Sequence, residues 1–348
     1  MLEIGLFLIV IAVLVLPITV HLVERNLEIF LFTMGLLAMS ISHFFGPSPL
    51  WSFHIIEQAL VEPIIITLAV LVVGLIVHFY SSQITHFIVK YEAKLGAKLF
   101  VFLIVVLLGI FSSLITAIMA AILLVEVVSV LKYNRDFEVK LIVLGCFSIG
   151  LGAALTPVGE PLSTIVVAKL RGAPYNADFF FLLKAIGIYV IPAIVAIGAF
   201  AFFLKPVKGH GLHDKDDGKE KINEVFYRSI KVYVFIMALI FLGTGFKPIV
   251  DMYIVKMSDM LIYWVNTISA IVDNATLTAA EISPQMKMHQ IVSALMGLLI
   301  AGGMLIPGNI PNIIAAGRLK ITSKEWAKFA LPFGFVLMII YFFVLFFI

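Results

Sequence analysis

Apolar stretches of about twenty residues recur along the whole chain and decide what it can fold into. A helix needs roughly 20 apolar residues to cross the hydrocarbon core of a bilayer. Uninterrupted stretches of this length lie at residues 2–22, 27–45, 61–80, 178–204, 225–246 and 326–348. Only 13% of the residues are charged, about half the share of a typical soluble domain. We therefore predict an all-α, multi-pass integral membrane protein in the cell membrane, surrounded by lipids.

Several other classes of protein are not supported by the sequence. The first apolar stretch has no basic residue before it and no cleavage site of small residues, which favours a first transmembrane helix over a signal peptide. The single cysteine, Cys146, has no second thiol to pair with. There is no phosphate-binding loop and no nucleophile–base pair. We expect no enzymatic activity, no cofactor and no nucleic-acid partner.

Lysines and arginines are distributed unevenly between the apolar stretches. Cytoplasmic loops of membrane proteins carry an excess of these residues. Placing both termini outside puts most of the 24 lysines and arginines in cytoplasmic loops. The loop 205–222 is rich in acidic and basic residues. We predict this orientation, with the loop as a solvated linker between two halves.

Two interrupted apolar regions have to enter and leave the membrane on the same side in this topology. Residues 98–131 start and end in the cytoplasm, and residues 258–283 start and end outside. Each arm has roughly 12 to 17 residues, fewer than the 20 or so of a full crossing. We predict two re-entrant hairpins, and the alternative is a pair of tightly packed full helices in each region.

Two segments share the pattern G-x-x-L-x-P-x-x-x-P, GAALTPVGEP at 152–161 and GGMLIPGNIP at 302–311. A second pair lies upstream, SSLITA at 112–117 and SAIVDN at 269–274. Hairpin, broken helix and full helix follow in the same order twice, which indicates an internal repeat. The predicted units are an N-terminal helical hairpin (1–60), repeat 1 (61–204), the linker (205–222) and repeat 2 (223–348). The broken helices are predicted at 139–170 and 286–319.

The two repeats run in opposite directions across the membrane in this topology. Proline removes a backbone donor and disrupts the preceding turn. Unpaired backbone groups inside a membrane are costly unless protein, water or an ion satisfies them. Inverted repeats with interrupted helices at corresponding positions are typical of secondary transporters, whose binding site lies at the breaks.

These motifs resemble the ion transporter superfamily, which includes dicarboxylate/Na⁺ symporters, arsenite permeases and NhaD-type Na⁺/H⁺ antiporters. SAIVDN at 269–274 is similar to the S-A-x-x-D-N hairpin of the antiporter and arsenite branches. TPVGE at 156–160 is similar to T-P-I-G-D of the antiporters, and GNIPN at 308–312 to G-x-x-P-N. More narrowly, the chain resembles a family of predicted cation transporters.

The resemblance covers about residues 61–348 and implies a homodimer that works by an elevator-like motion. The first hairpin tip departs from the pattern. It reads Thr116-Ala117 where relatives often have Asp-Asn or Ser-Asn-Thr, so it supplies fewer polar ligands.

Two acidic residues are predicted to lie at membrane depth in the motifs, Glu160 in the first broken helix and Asp273 at the second hairpin tip. Ionisable residues inside a membrane are costly and indicate a functional site. No lysine or arginine lies in either motif, and carboxylates with neutral oxygens suit a hard cation such as Na⁺. The alternative is a pair of protonated acids held by hydrogen bonds within the helix bundle.

Neutral oxygens that could complete the site belong to Thr116, Thr156, Ser163, Asn274, Thr276, Asn309 and Asn312. The alternative role for each is a hydrogen bond between helices. Glu126 and Lys184 are candidates for proton coupling. Glu126 lies close to the end of its arm, and Lys184 can equally extend to the membrane surface.

The leading hypothesis is a secondary transporter that exchanges Na⁺ or Li⁺ for H⁺ by alternating access. A carboxylate inside the membrane can bind either ion, and competition between the two is sufficient for antiport. The alternative hypothesis is a Na⁺-coupled symporter of a small carboxylate or oxyanion, because helix N-termini also bind anions. A channel and a non-transporting membrane protein remain open as well.

Overall fold

The computed structural model describes residues 2–20, 22–23, 26–46, 49–207, 209, 222–253, 257–271 and 274–348. Over these residues the chain is helical and has no strand, which confirms the predicted all-α class. The α-helices are α1 Leu2–Thr19, α2 Leu27–Phe45, α3 Phe53–Leu95, α4 Ala97–Ile115, α5 Ala117–Leu131, α6 Arg135–Ala153, α7 Pro161–Lys169, α8 Phe181–Phe203, α9 Ile222–Tyr253, α10 Asp259–Val265, α11 Asn274–Glu281, α12 Met288–Gly302, α13 Ile310–Arg318 and α14 Ser323–Phe347.

Among the described residues, five helical segments are long and apolar enough to cross a membrane. They are Glu28–Phe45, Ala97–Ile115, Phe181–Phe203, Val225–Pro248 and Ser323–Phe347. Large apolar side chains such as Ile188, Phe203 and Phe347 are exposed on the outer faces of these segments. Exposure of so many large apolar side chains to water would be unfavourable, whereas contact with lipid would not. The fold is therefore consistent with a membrane protein.

Helix α3 is much longer than the apolar stretch 61–80 that predicted it. It has 43 residues, which corresponds to about 65 Å of helix. The hydroxyl of Ser52 caps its N-terminus, and Gly96, at a φ of 79°, ends it. The sequence after Tyr80 contains no proline or glycine before Gly96, so nothing stops the helix where the apolar stretch ends.

The first hairpin consists of α4 and α5, which are separated by Thr116 alone. Both of its ends lie beside residues 202–209. The Nζ of Lys98 is 5.9 Å from the ring centroid of Phe202, and the carbonyl of Lys132 accepts a hydrogen bond from the Gly209 amide at 3.1 Å. The first arm, with 19 residues, is longer than predicted and long enough to cross a membrane on its own. The second arm has 15 residues.

The second hairpin consists of α10 and the 3₁₀ turn Asn266–Ala270 as one arm and α11 as the other. Its beginning lies beside the start of α12, since the Nδ1 of His289 is 2.8 Å from the Oδ2 of Asp259. Just after its other end, the carbonyl of Ile282 accepts a hydrogen bond from Lys169 at 3.1 Å. Both arms are shorter than those of the first hairpin.

Two broken helices form the centre of the molecule. Helices α6 and α7 are separated by residues 154–160, the first break, and α12 and α13 by residues 303–309, the second break. Helices α6 and α12 are buried over nearly their whole length and contact each other. The second arm of each hairpin packs on the other broken helix, α5 on α13 and α11 on α7. The second break is buried throughout, and the first is buried except at Pro157 and Val158.

Candidate functional site

Direct hydrogen bonds join the tip of the first hairpin to the first break. The Oγ1 of Thr156 donates to the carbonyl of Ser113 at 2.5 Å. The amide of Ala117 donates to the carbonyl of Gly159 at 2.8 Å. The backbone groups that the break releases are thus partly satisfied by the hairpin, as buried polar groups require. Thr156, a predicted ligand, already uses its hydroxyl hydrogen in this contact.

Thr116 forms the tip of the first hairpin in an unusual backbone conformation. Its φ is 74° and its ψ is 150°, a region that glycine alone adopts readily and that costs other residues about 1–3 kcal/mol. Its Oγ1 accepts a hydrogen bond from the Met119 amide at 3.4 Å and so caps α5. The predicted ligand Thr116 therefore lies beside the break, with its hydroxyl serving as a helix cap.

Glu160 and Ser163 lie at the start of α7, the second half of the first broken helix. Glu160 is the N-cap residue in an extended conformation and is 5% exposed. Its carboxyl does not cap the helix itself. The Oγ of Ser163 donates to the carbonyl of Ala153, the last residue of α6, at 3.3 Å. A buried carboxyl group thus stands at the N-terminus of a half-helix, beside a hydroxyl that ties the two halves together.

Asn309 and Asn312 occupy the corresponding places in the second broken helix. Asn309 is the N-cap residue of α13, also extended and 4% exposed. The Nδ2 of Asn312 donates to the carbonyls of Gly302 at 2.8 Å and Leu305 at 2.9 Å. The Nδ2 of Asn309 lies 2.8 Å from the position that a Cβ on Gly150 would occupy. Asn312 thus ties α13 to the end of α12, as Ser163 ties α7 to the end of α6, and Asn309 reaches the first broken helix.

Three polar side-chain atoms at the second break have no hydrogen-bond partner among the residues that the structure describes. They are the Oγ of Ser269, the Nδ2 of Asn274 and the Oδ1 of Asn312, all on buried residues. A Cβ on Gly302 would lie 3.7 Å from both the Ser269 and the Asn274 atom, and Asn312 bonds to the Gly302 carbonyl. The three side chains therefore converge around Gly302. Buried polar atoms in native proteins almost always have a partner, so a ligand or water is expected here.

Carbonyl oxygens also converge at the second break. A Cβ on Gly308 would lie 2.6 Å from the carbonyl oxygen of Gly302, 2.6 Å from that of Ser269 and 3.0 Å from that of Ala270. Only glycine fits in this position. The same oxygens concentrate negative partial charge beside the three side chains, which favours a cation bound by oxygen ligands.

Two predicted ligands lie wholly or partly outside the described residues. Asp273, the predicted acid of the second hairpin, lies outside the described residues, and so does the side chain of Thr276. Asp273 immediately precedes Asn274 in the sequence. Where its carboxyl group lies therefore stays a prediction.

The two candidates for proton coupling both form ion pairs. Glu126 on α5 is buried and pairs with Arg318 at the end of α13. Lys184 pairs with Asp178 at 2.7 Å, and the two side chains are 67% and 55% exposed. The hydrogen bond from Lys184 lowers the pKa of the Asp178 carboxyl. Lys184 thus lies at the protein surface, where it contacts Asp178 and not an acid of the breaks.

Ser269 was not among the predicted ligands. It lies in the motif 269–274 and aligns with Ser112 of the first hairpin. Both serines are fully buried. The Oγ of Ser112 is 2.6 Å from the Gly109 carbonyl and 3.0 Å from the Ile149 carbonyl, whereas the Oγ of Ser269 has no such partner within the described part of the chain. The alignment pointed to Ser269, but only the contacts distinguish a structural serine from a candidate ligand.

The helices and the buried breaks define an all-helical protein of a kind consistent with a membrane environment. Residues 3–348 match the family described as "Protein of unknown function (DUF1646)", and the chain belongs to this family. A search of the curated proteins found no match.

Proposed function

We propose that this protein is a secondary active transporter that exchanges Na⁺ or Li⁺ for H⁺ across the cell membrane by alternating access. The observation that carries the proposal is a pair of buried oxygens near Gly302, the Oγ of Ser269 and the Oδ1 of Asn312, which have no hydrogen-bond partner among the described residues, together with the carbonyl oxygens around Gly308. Hydroxyl, amide and carbonyl oxygens are the ligands of hard cations. Asp273 would add a carboxylate from the residue next to Asn274, and Glu160 would add one from the first break.

The proposed exchange depends on competition between the two ions for the same carboxyl groups. An ionised carboxylate inside the membrane is stable only with a cationic partner, and otherwise it becomes protonated. A site that holds either Na⁺ or H⁺, and that crosses the membrane only when occupied, couples the two fluxes. Glu160 is buried at a half-helix N-terminus, which supports this role.

Inverted repeats are part of the proposal, and several contacts support them. Arg135, at the start of the first broken helix, donates to the carbonyl of Leu319, at the end of the second, at 3.1 Å. The ends of the first hairpin lie near Arg135 and Leu319. The amide of Asn134, next to Arg135, donates to the carbonyl of Val207, which lies close to both hairpin ends. Lys169, at the end of the first broken helix, contacts the end of the second hairpin. The broken helices thus run antiparallel, as opposite orientations in the membrane would require.

The remaining parts of the proposal come from the resemblance and from the distribution of charge. They are a homodimer, an elevator-like motion, and both termini outside the cell.

A second candidate function is Na⁺-coupled uptake of a small carboxylate or oxyanion. The observation that favours it is the Nδ2 of Asn274, a hydrogen-bond donor for which the described residues supply no partner. Helix N-termini attract anions, and α13 begins at this break with an amide, Asn309, as its N-cap residue. An anion could therefore bind between Asn274 and the start of α13.

Proton flux in proteoliposomes loaded with a pH-sensitive dye tests the proposal. Na⁺, Li⁺, K⁺ or choline is added outside to vesicles with the wild-type protein, Asp273→Asn or Glu160→Gln. Glu57→Gln is the matched control, because Glu57 is exposed on α3. We expect proton movement driven by Na⁺ or Li⁺, lost in the two site variants and kept in the control.

Absence of proton movement with every cation, in folded protein, would reject antiport. Saturable uptake of a carboxylate that requires Na⁺ would then support the second candidate. Full exchange by Asp273→Asn would reject the assignment of that residue.

A further inference from the structure

A second buried polar cluster lies near the end of the second hairpin, and it consists of Asn266, Glu281 and Ser293. Glu281 is the last residue of α11 and is 1% exposed. The Nδ2 of Asn266 donates to the Oε2 of Glu281 at 2.9 Å and to the carbonyl of Ala294 at 3.1 Å. Ser293 lies on α12, about 13 Å along that helix from the second break. The cluster is therefore separate from the atoms around Gly302.

Each member of the cluster has an oxygen without a hydrogen-bond partner in the described part of the chain. These atoms are the Oε1 of Glu281, the Oδ1 of Asn266 and the Oγ of Ser293. The Cβ of Asn266 lies 3.1 Å from the position that a Cβ on Gly297 would occupy. Ser293 is one turn before Gly297, so it lies on the face of α12 that Asn266 contacts. The Oδ1 of Asn266 and the Oγ of Ser293 are thus the candidate acceptors for a protonated carboxyl at Glu281.

The charged groups on the helices packed against α11 leave the Glu281 carboxyl without an ion pair in the described structure. Lys169 on α7 donates to the carbonyl of Ile282, the next residue. His289 on α12 pairs with Asp259, and Lys247 on α9 is exposed. A buried carboxyl group with an amide donor and no cation is stable in its protonated form. Lys169, which bonds to the carbonyl of the residue after Glu281, would favour the ionised form when the carboxyl turns toward it.

We propose that Glu281 is a proton-binding site that takes up and releases a further proton during the exchange, besides the carboxyl groups for which Na⁺ and H⁺ compete, so this inference rests on the proposed antiport. Its carboxylate takes up one H⁺ to become a neutral carboxyl, which donates to Asn266 or Ser293, and it releases the same H⁺ when it ionises beside Lys169. Helix α11 has 8 residues and begins at Asn274. Glu281 and the candidate Na⁺ ligand Asn274 therefore lie at opposite ends of one short helix, so a change of charge at Glu281 can affect the position of Asn274.

Infrared difference spectra, neutral minus alkaline, test proton binding directly on the full-length protein in liposomes with choline as the only cation. We expect a carboxyl C=O band that grows with acidification. Glu281→Gln should lose this band, and the exposed-site control Glu57→Gln should keep it. A band unchanged in Glu281→Gln would overturn the proposal. If Glu281→Gln does not fold, Glu281→Asp replaces it, and a band with unchanged frequency and midpoint would overturn the proposal equally.

Flux measurements on the same vesicles separate this inference from the proposed function. We expect Glu281→Gln to move fewer protons per Na⁺ than the wild-type protein and to retain exchange of radioactive Na⁺ for Na⁺. Retention of both fluxes at the wild-type ratio would overturn the role of Glu281 in transport. The wild-type protein could move no protons in the flux assay while Glu281→Gln still lacks the infrared band. Proton binding at Glu281 would then stand, and the antiport proposal would fail.

Discussion

The two helix breaks have similar backbones and different hydrogen bonding. At the first break, the hydroxyls of Ser112, Ser113, Thr156 and Ser163 each donate to a backbone carbonyl. At the second break, Ser269, Asn274 and Asn312 each retain a side-chain atom without a partner among the described residues. The first hairpin is thus closed onto its break by its own hydrogen bonds, whereas the second leaves polar atoms directed at Gly302.

This difference separates structural polar residues from candidate ligands. A polar group inside a membrane protein stabilises the fold when it is paired and is costly when it is not. Polar atoms that remain unpaired in the packed core are therefore expected to have a ligand during function. We infer that the first break mainly stabilises the structure, apart from Glu160, and that the second break provides the neutral ligands.

The largest expected effect concerns the contacts between the broken helices and the hairpins, which join α13 to α5 and α7 to the end of the second hairpin. Arg318 on α13 pairs with Glu126, and the two side chains are only 15% and 10% exposed. Arg318→Gln should lower the free energy of unfolding by about 3–5 kcal/mol, because it removes the charge that compensates a buried carboxylate. Lys169→Gln removes one hydrogen bond to a carbonyl and should cost about 1 kcal/mol. Thermal unfolding of the purified proteins measures both.

The double variant Glu126→Gln with Arg318→Gln is the control for this pair. It removes both charges, so most of the lost stability should return. If the double variant is as unstable as Arg318→Gln alone, the ion pair is not the source of the stabilisation.

The fold could be predicted further from the sequence than the site could. The apolar stretches, the repeated proline motif and the serine-containing tips were sufficient to predict helices, two interrupted regions and two breaks, because these patterns follow from the membrane and from proline. The motifs could not show that Ser112 is satisfied and Ser269 is not, since this depends on which carbonyl lies opposite each hydroxyl. The pairing of Glu126 with Arg318 joins residues far apart in the sequence, so no local pattern predicts it.

The next largest effect concerns the aligned glycines Gly152 and Gly302, which begin the two copies of the proline motif. A Cβ on Gly152 would lie 1.7 Å from the carbonyl oxygen of Gly109. Gly152→Ala should therefore force the first hairpin away from its helix and destabilise the protein by about 3 kcal/mol or more. A Cβ on Gly302 would meet its nearest atom, the Gly308 carbonyl oxygen, at 3.2 Å. Gly302→Ala should change stability by about 1 kcal/mol or less, and a melting curve in choline buffer compares the two.

The same two variants should also differ in how much Na⁺ stabilises them, and here Gly302→Ala should show the larger defect. An ion that binds only the folded protein raises its stability by an amount that grows with the logarithm of its affinity. The methyl group of Gly302→Ala would lie among the candidate ligands, so Na⁺ should no longer raise its melting temperature. Equal Na⁺ stabilisation of Gly302→Ala and the wild-type protein would place the ion elsewhere.

The smallest and sharpest effect concerns the aligned serines. Ser112→Ala removes a bonded hydroxyl and should lower stability in choline by about 1 kcal/mol, whereas Ser269→Ala removes an unpartnered buried hydroxyl and should leave stability unchanged or raise it by about 1 kcal/mol. Na⁺ should still stabilise Ser112→Ala and should no longer stabilise Ser269→Ala. Melting curves in matched choline and Na⁺ buffers give all four values. The reverse pattern, with Na⁺ stabilisation lost only in Ser112→Ala, would move the binding site to the first break.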